Sequence, residues 1–138
     1  MNERTAAGDY NGALNELNGM LQFPENYKAY FTRGKIFFTM GRYQEAINDF
    51  DTMIFKDSLH IESYLYRGIS KADLKRYEEA IYDYNKAIFI DPYFEVAYVE
   101  RGEAYIEIKR NKEACLDFKK AYDLGYVKIG PDLEKYCK

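Results

Sequence analysis

Three arginines stand directly before a glycine in nearly the same five-letter setting: "YFTRG" at 30–34, "YLYRG" at 64–68 and "YVERG" at 98–102, at intervals of 34 residues. A planar guanidinium grips carboxylate or phosphate through paired N–H donors. Three in register therefore read either as a ligand-binding ladder or as a repeated tie within the scaffold. The rest of the chain offers little reactive chemistry. Glu103 and Glu107 are one helical turn apart, a spacing at which two carboxylates share a face and can divide acid and base roles; in a charge-rich chain the same spacing describes a solvated face. The single histidine, His60, has no sequence context suited to a triad or a metal site and reads as a solvated loop residue. No glycine-rich phosphate loop is present. The expectation is a protein that is not an enzyme and carries no cofactor or metal.

The elements that must position these residues follow from length and pattern. A chain of 138 residues, 47% apolar and 31% charged, suits one globular domain with a real core. Tyrosine is abundant, with 15 beside 9 phenylalanines and no tryptophan. Basic and acidic residues, 20 and 23, are interspersed to a net charge of −3, so no basic face offers itself to nucleic acid. No apolar run is long enough to span a membrane, and "MNERTAAGDY" at 1–10 lacks the apolar core of a signal peptide. Those features make a cytoplasmic location the default expectation and a periplasmic or envelope-associated one the alternative.

Segments 27–60, 61–94 and 95–128 align without a gap. Gly34, Gly68 and Gly102 coincide, as do Ala46, Ala80 and Ala114, the aromatics Phe50, Tyr84 and Phe118, and the pairs Tyr43/Tyr77 and Ala87/Ala121. Small residues at the glycine and alanine positions give helix backbones room to approach. Apolar spacing of three and four residues marks two amphipathic helices per unit. In the middle unit these span about 61–74 and 77–90, broken near Lys75–Arg76 and closed by Asp91–Pro92.

The order of large aromatic, Gly and aromatic on one helix, then Ala, aromatic, Ala and Pro on the next, resembles the tetratricopeptide repeat. The middle unit supplies Tyr64, Gly68, Ala80, Tyr84, Ala87 and Pro92 at that spacing. The first unit departs at Met53 and Ser58, and the third ends on Gly125 instead of Pro. The resemblance implies an all-α, right-handed superhelical solenoid of antiparallel helix pairs, with 1–138 as a single domain. "GDYNGALNELNGM" at 8–20 matches a second helix, so 8–24 forms a half repeat before the three full ones. Its first helix would precede residue 1, which leaves Leu14, Leu17 and Leu21 partly uncovered. Segment 129–138 reads as a capping helix with Pro131 in its first turn.

Helix pairing also bears on the arginines. Residues equally distant from a hairpin turn face each other, so turns at Gly41, Lys75 and Lys109 set Arg33 against Asp49, Arg67 against Asp83, and Arg101 against Asp117. Each arginine then has its own acid, which favours structural ion pairs over a ligand ladder. By the same geometry Cys115 and Cys137, equally far from Tyr126, can be neighbours; a disulfide suited to an oxidising compartment and two small buried thiols both remain open. The cysteine-bearing C-terminal ending also resembles the last repeats of many bacterial chains of this family.

By the resemblance, the concave wall would be lined by Lys28, Phe31, Lys35, Phe38 and Thr39, then Glu62, Leu65, Ile69 and Asp73, then Val96, Val99, Glu103, Ile106 and Glu107. That gives an apolar stripe, basic at one end and acidic at the other, suited to a protein or peptide partner. Some family members clamp a C-terminal carboxylate with Lys, Asn, Asn, Lys and Arg. Phe31, Lys35, Tyr66, Val96 and Glu100 occupy those positions here, and Glu100 would repel such a ligand. The function expected is a non-catalytic binding scaffold using the concave groove. The alternative is an architectural fragment of a larger protein that forms a homodimer through its N-terminal half repeat.

Overall fold

The helix breaks recur as regularly as the helices. In the computed structural model, which describes residues 9–138, Gly41, Lys75, Lys109 and Gly125 take positive φ of 78°, 63°, 63° and 105°. Each ends a helix with the same pair of bonds: the Gly41 N–H donates to the Phe38 carbonyl and that of Arg42 to Phe37, at 3.0 and 2.8 Å, and equivalent bonds follow at Lys75/Arg76, Lys109/Arg110 and Gly125/Tyr126. This left-handed C-terminal motif satisfies the last carbonyls and reverses the chain. The next residue, Arg42, Arg76 or Arg110, opens the following helix and pairs with Glu45, Glu79 or Glu113 in its first turn.

Eight α-helices result among the described residues: α1 (Tyr10–Met20), α2 (Ala29–Thr39), α3 (Tyr43–Lys56), α4 (Ile61–Asp73), α5 (Tyr77–Ile90), α6 (Glu95–Glu107), α7 (Asn111–Asp123) and α8 (Gly130–Tyr136). Short 3₁₀ turns at Pro24–Asn26 and Val127–Ile129 precede α2 and α8. Each helix packs on its chain neighbours, and α2, α4 and α6 also touch in sequence to form one wall. Gly8, expected to open the half repeat, lies outside the described residues. No helix of the described residues is long and apolar enough to cross a membrane.

The repeated glycines serve a different contact from the one their spacing suggests. A Cβ on Gly34 would stand 2.7 Å from the Phe50 ring, one on Gly68 2.5 Å from Tyr84, and one on Gly102 2.4 Å from Phe118. The space is taken by an aromatic ring of the paired helix, not by its backbone, and all three rings are fully buried. The half repeat is also better covered than expected. Leu14 and Leu17 are buried with Ala29 and Ile36, and Leu21 is half-buried beside them. At the other end Ile129, Leu133 and Tyr136 pack on Phe118 and Ala121, closing the core. A disulfide joins Cys115 of α7 to Cys137 just beyond α8.

Candidate functional site: the concave wall

The arginines are bound on two sides. Arg33 donates to both carboxylate oxygens of Asp49 at 2.8 and 2.6 Å, Arg67 to those of Asp83 at 3.0 and 2.7 Å, and Arg101 to those of Asp117 at 2.8 and 2.6 Å. The remaining Nη1 crosses to the preceding unit, reaching Asn18, Asp51 and Asn85 respectively at 2.8–2.9 Å. Each guanidinium therefore ties three helices. The bonds to Asp49 raise the Arg33 pKa further above its ordinary range. For Arg67 and Arg101 burial opposes the charge, but the aspartate bonds outweigh it and the net shift is again upward.

The wall itself has two different halves. At the N-terminal half, Phe31 and Phe38 of α2 meet Tyr66 of α4 edge-on, with ring centres 5.9 and 5.7 Å apart, and Tyr43 adds a fourth ring against Phe38. Lys35 extends over Phe31 and Tyr66, its Nζ 5.1 and 5.8 Å from the ring centres, within cation–π range. His60 is not a solvated loop residue. It is half-buried at the start of α4, its ring stands against Phe31 at 4.6 Å, and its Nδ1 lies 2.8 Å from the Ser63 hydroxyl.

The C-terminal half is a cavity of about 330 Å³ with Ile69, Ala104 and Ile106 in its lining and carboxylates around them. Asp73, Glu100, Glu103, Glu107 and Asp132 all line it, and no basic side chain does among the described residues. Two tyrosines stand near these acids: the Asp73 charge is the main reason the Tyr43 phenol pKa rises, and burial first, then the Glu107 charge, raises that of Tyr77. Burial pushes the Glu100 carboxyl up to about 7, with Glu103 and Asp73 adding repulsion. The same causes, burial first and then Asp132, raise Glu103.

Of the residues expected along the wall, Phe31, Lys35, Phe38, Ile69, Asp73, Glu103, Ile106 and Glu107 fall within these two patches. Leu65 and Val99 do not. Leu65 is buried with Ala80, Tyr84 and Ala104, and Val99 with Ala114 and Phe118. The expected stripe is therefore interrupted by two side chains that serve the core. Val96 is half-buried beside Leu65, and Lys28, Thr39 and Glu62 are exposed. Tyr43, Tyr66, Tyr77, Glu100, Asp132 and Tyr136 are wall residues that the stripe omitted. Tyr66 and Glu100 were legible only as mismatches to a carboxylate clamp, and Asp132 and Tyr136 reach the wall through the capping helix.

Stacked helix hairpins with an inner wall made by the first helix of every pair define an α-helical repeat solenoid. Tetratricopeptide repeat models match residues 31–93 and 96–124, and the chain belongs to the tetratricopeptide repeat family. No curated protein matches the sequence at a significant level. Among solved structures the chain is similar to MamA, with TM-score 0.84, 21% identity, and 89% of this chain and 72% of that one covered. It is also similar to the first such domain of Spaghetti (RPAP3) bound to an HSP90 peptide, with TM-score 0.77, 23% identity, and 80% and 90% covered. A third similar structure is the TPR2B domain of yeast Sti1 in complex with pHsp70, with TM-score 0.73, 25% identity, and 80% and 91% covered. These likenesses establish the right-handed superhelical solenoid of antiparallel helix pairs.

Proposed function

We propose that the chain is a non-catalytic scaffold whose concave wall holds a protein or peptide partner. The observation that carries this reading is the cluster of Phe31, Phe38, Tyr43 and Tyr66 rings on the inner wall beside Lys35. Aromatic side chains grouped on a concave surface supply large contact area at little entropic cost, and they recur where binding energy concentrates. Support comes also from the similar domains of Spaghetti and Sti1, whose structures hold an HSP90 peptide and pHsp70. The partner is not a C-terminal carboxylate gripped by a basic clamp. Glu100 stands where that clamp has its arginine, and the surrounding charge is negative.

Selection from a random peptide display library on the whole chain tests the reading. Enriched peptides should bind wild type, and Phe38→Glu or Tyr66→Glu should weaken them by about tenfold or more while the helical spectrum is retained. Enriched peptides indifferent to both substitutions would place binding elsewhere and overturn it.

A further inference from the structure

The cavity at the C-terminal half of the wall is built in a way that packing alone does not explain. Five carboxylates, Asp73, Glu100, Glu103, Glu107 and Asp132, line one space, with no basic side chain among the described residues that line it. Burial pushes Glu100 up to about 7, so the fold carries a cost here that an added positive charge would relieve. The acids are not grouped for a metal: among the described residues no set of three or more stands close enough to hold one ion. Their spread suits a cation with several donors at a distance from one another.

Tyr84 is an independent observation. Its ring lies on Gly68 in the slot that Phe50 fills over Gly34 and Phe118 fills over Gly102, so the slot needs a ring and no hydroxyl. Yet Tyr84 is wholly buried, lines the cavity, and its hydroxyl has no hydrogen-bond partner among the described residues. After burial, the charges of Glu100 and Glu103 contribute most to holding the proton on this phenol, so both acids lie within electrostatic reach of it. A buried hydroxyl without a partner is costly and uncommon. The Tyr84 hydroxyl has no surface open to water in this structure, and the side chain that carries it belongs to the cavity lining.

The lining completes the picture. Ile69 and Ile106 offer an apolar track, and Tyr77 and Tyr136 offer aromatic faces. The volume of about 330 Å³ is at the small end for ligand sites, of the size of one long side chain. Guanidinium is planar, stacks on aromatic rings, is weakly hydrated and carries five donors in a fork, whereas ammonium is a compact, strongly hydrated point charge.

We propose that this cavity is a specificity pocket for an arginine side chain of the bound partner, with the stem along Ile69 and Ile106 and the guanidinium among Glu100, Glu103 and the Tyr84 hydroxyl. The inference rests on the concave wall being a peptide groove. It names what the acidic half of that groove recognises.

The probe is N-acetyl-arginine methylamide, titrated into the whole chain and followed by amide chemical shifts, beside its lysine and citrulline counterparts. Shifts should centre on Ile69, Ala72, Ala104 and Ile106. The uncharged citrulline compound should bind about tenfold more weakly or worse, with the lysine compound between them. Glu100→Gln/Glu103→Gln should cost a similar factor without loss of helicity, and Glu78→Gln, exposed on α5 and outside the cavity lining, should change nothing. Equal shifts from arginine and citrulline, or arginine binding indifferent to the double substitution, would overturn the pocket. A library peptide that needs Phe38 and Tyr66 but tolerates citrulline for each arginine also overturns it, and leaves the groove standing. Arginine-specific shifts in the cavity, with no library peptide sensitive to Phe38→Glu or Tyr66→Glu, would keep the pocket and remove the groove.

Discussion

Replacing Tyr84 by phenylalanine removes one oxygen and leaves the ring on Gly68 untouched. The sequence has performed the comparison twice, because Phe50 and Phe118 occupy the same place in the flanking units and are as fully buried. A buried hydroxyl with no hydrogen-bond partner costs about 1–3 kcal/mol relative to one that is satisfied or absent. A small loss of dispersion contact offsets part of that, so Tyr84→Phe should stabilise the fold by about 1 kcal/mol. In a domain of this size the melting temperature should rise by about 3–5 °C. Urea unfolding should show a higher midpoint with an unchanged slope, which separates altered stability from altered compactness. The mirror substitution Phe50→Tyr, which adds a hydroxyl to a ring packed against Phe31 and Tyr66, should destabilise by about 1–3 kcal/mol. A stabilised Tyr84→Phe should also bind the arginine probe more weakly, since the same oxygen is its acceptor. Destabilisation by Tyr84→Phe would show that the hydroxyl is already satisfied in solution, by an internal water for instance. The Tyr84 hydroxyl would then not be an unsatisfied group.

Arg67→Ala should be far more damaging than Arg42→Ala. Asp83 is fully buried and keeps only Lys71, at 3.3 Å, once Arg67 is gone; urea unfolding should show a loss of about 3–5 kcal/mol. Arg42 pairs with Glu45 at the surface, where about 0.2–1 kcal/mol is expected, and equal losses would remove the idea of an interior tie. The Cys115–Cys137 disulfide closes a loop of 22 residues in sequence separation, so reduction or Cys115→Ser/Cys137→Ser should cost about 3 kcal/mol in urea unfolding. An unchanged midpoint on reduction would mean that the thiols are not joined in solution. Glu100 has a folded pKa of about 7 against an ordinary 4.5, so the folded state binds its proton more tightly than the unfolded chain. Its contribution is full below about 4.5 and is lost as pH rises through about 7, a change of about 3 kcal/mol. Asp73, Glu103 and the Tyr84 phenol line the same cavity with Asp132, and Glu103, whose pKa is also raised by burial, acts in the same direction. Melting curves against pH should show Glu100→Gln flattening this slope and gaining stability on the alkaline side. An unchanged slope would place Glu100 in water.

The parts of the fold legible in the sequence are those that depend on one unit alone. The positions of Arg33 and Asp49 about the turn at Gly41 identify the facing pair, because hairpin symmetry needs no knowledge of the neighbouring unit. The third bond of each arginine, to Asn18, Asp51 or Asn85, was illegible because it depends on the angle at which units stack. The same limit explains Leu65 and Val99. They share a repeat position with Phe31, but an aliphatic side chain is short enough to sink between adjacent helices, where Leu65 joins Ala104 and Val99 joins Phe118. The Phe31 ring is too large for that gap and lies over His60 and Tyr66. His60 was misread for a related reason, since it opens α4 and its ring stands against Phe31 of α2, a contact made only when the wall helices stack. Asp132 and Tyr136 belong to the capping helix, outside the periodic pattern, and nothing in the repeat places them on the wall.

The repeats supply an internal comparison that separates scaffold from recognition. Where the fold makes the demand, every copy gives the same answer, as with Gly34, Gly68 and Gly102 or with Arg33, Arg67 and Arg101. Wall positions in the same helices do not repeat: Thr32, Tyr66 and Glu100 share one, and Lys35, Ile69 and Glu103 another. The buried residues beneath these two positions, Gly34, Gly68 and Gly102 under Phe50, Tyr84 and Phe118, are nearly the same in every unit. The variation runs in one direction, from Lys35 over aromatic rings to Glu100 and Glu103 in the cavity lining. A symmetric or purely apolar partner would gain nothing from such a gradient. A partner that presents apolar side chains to the first half and an arginine to the second gains from both ends and fits in one orientation only, since reversal would set its cation against Lys35 and leave five carboxylates unmatched.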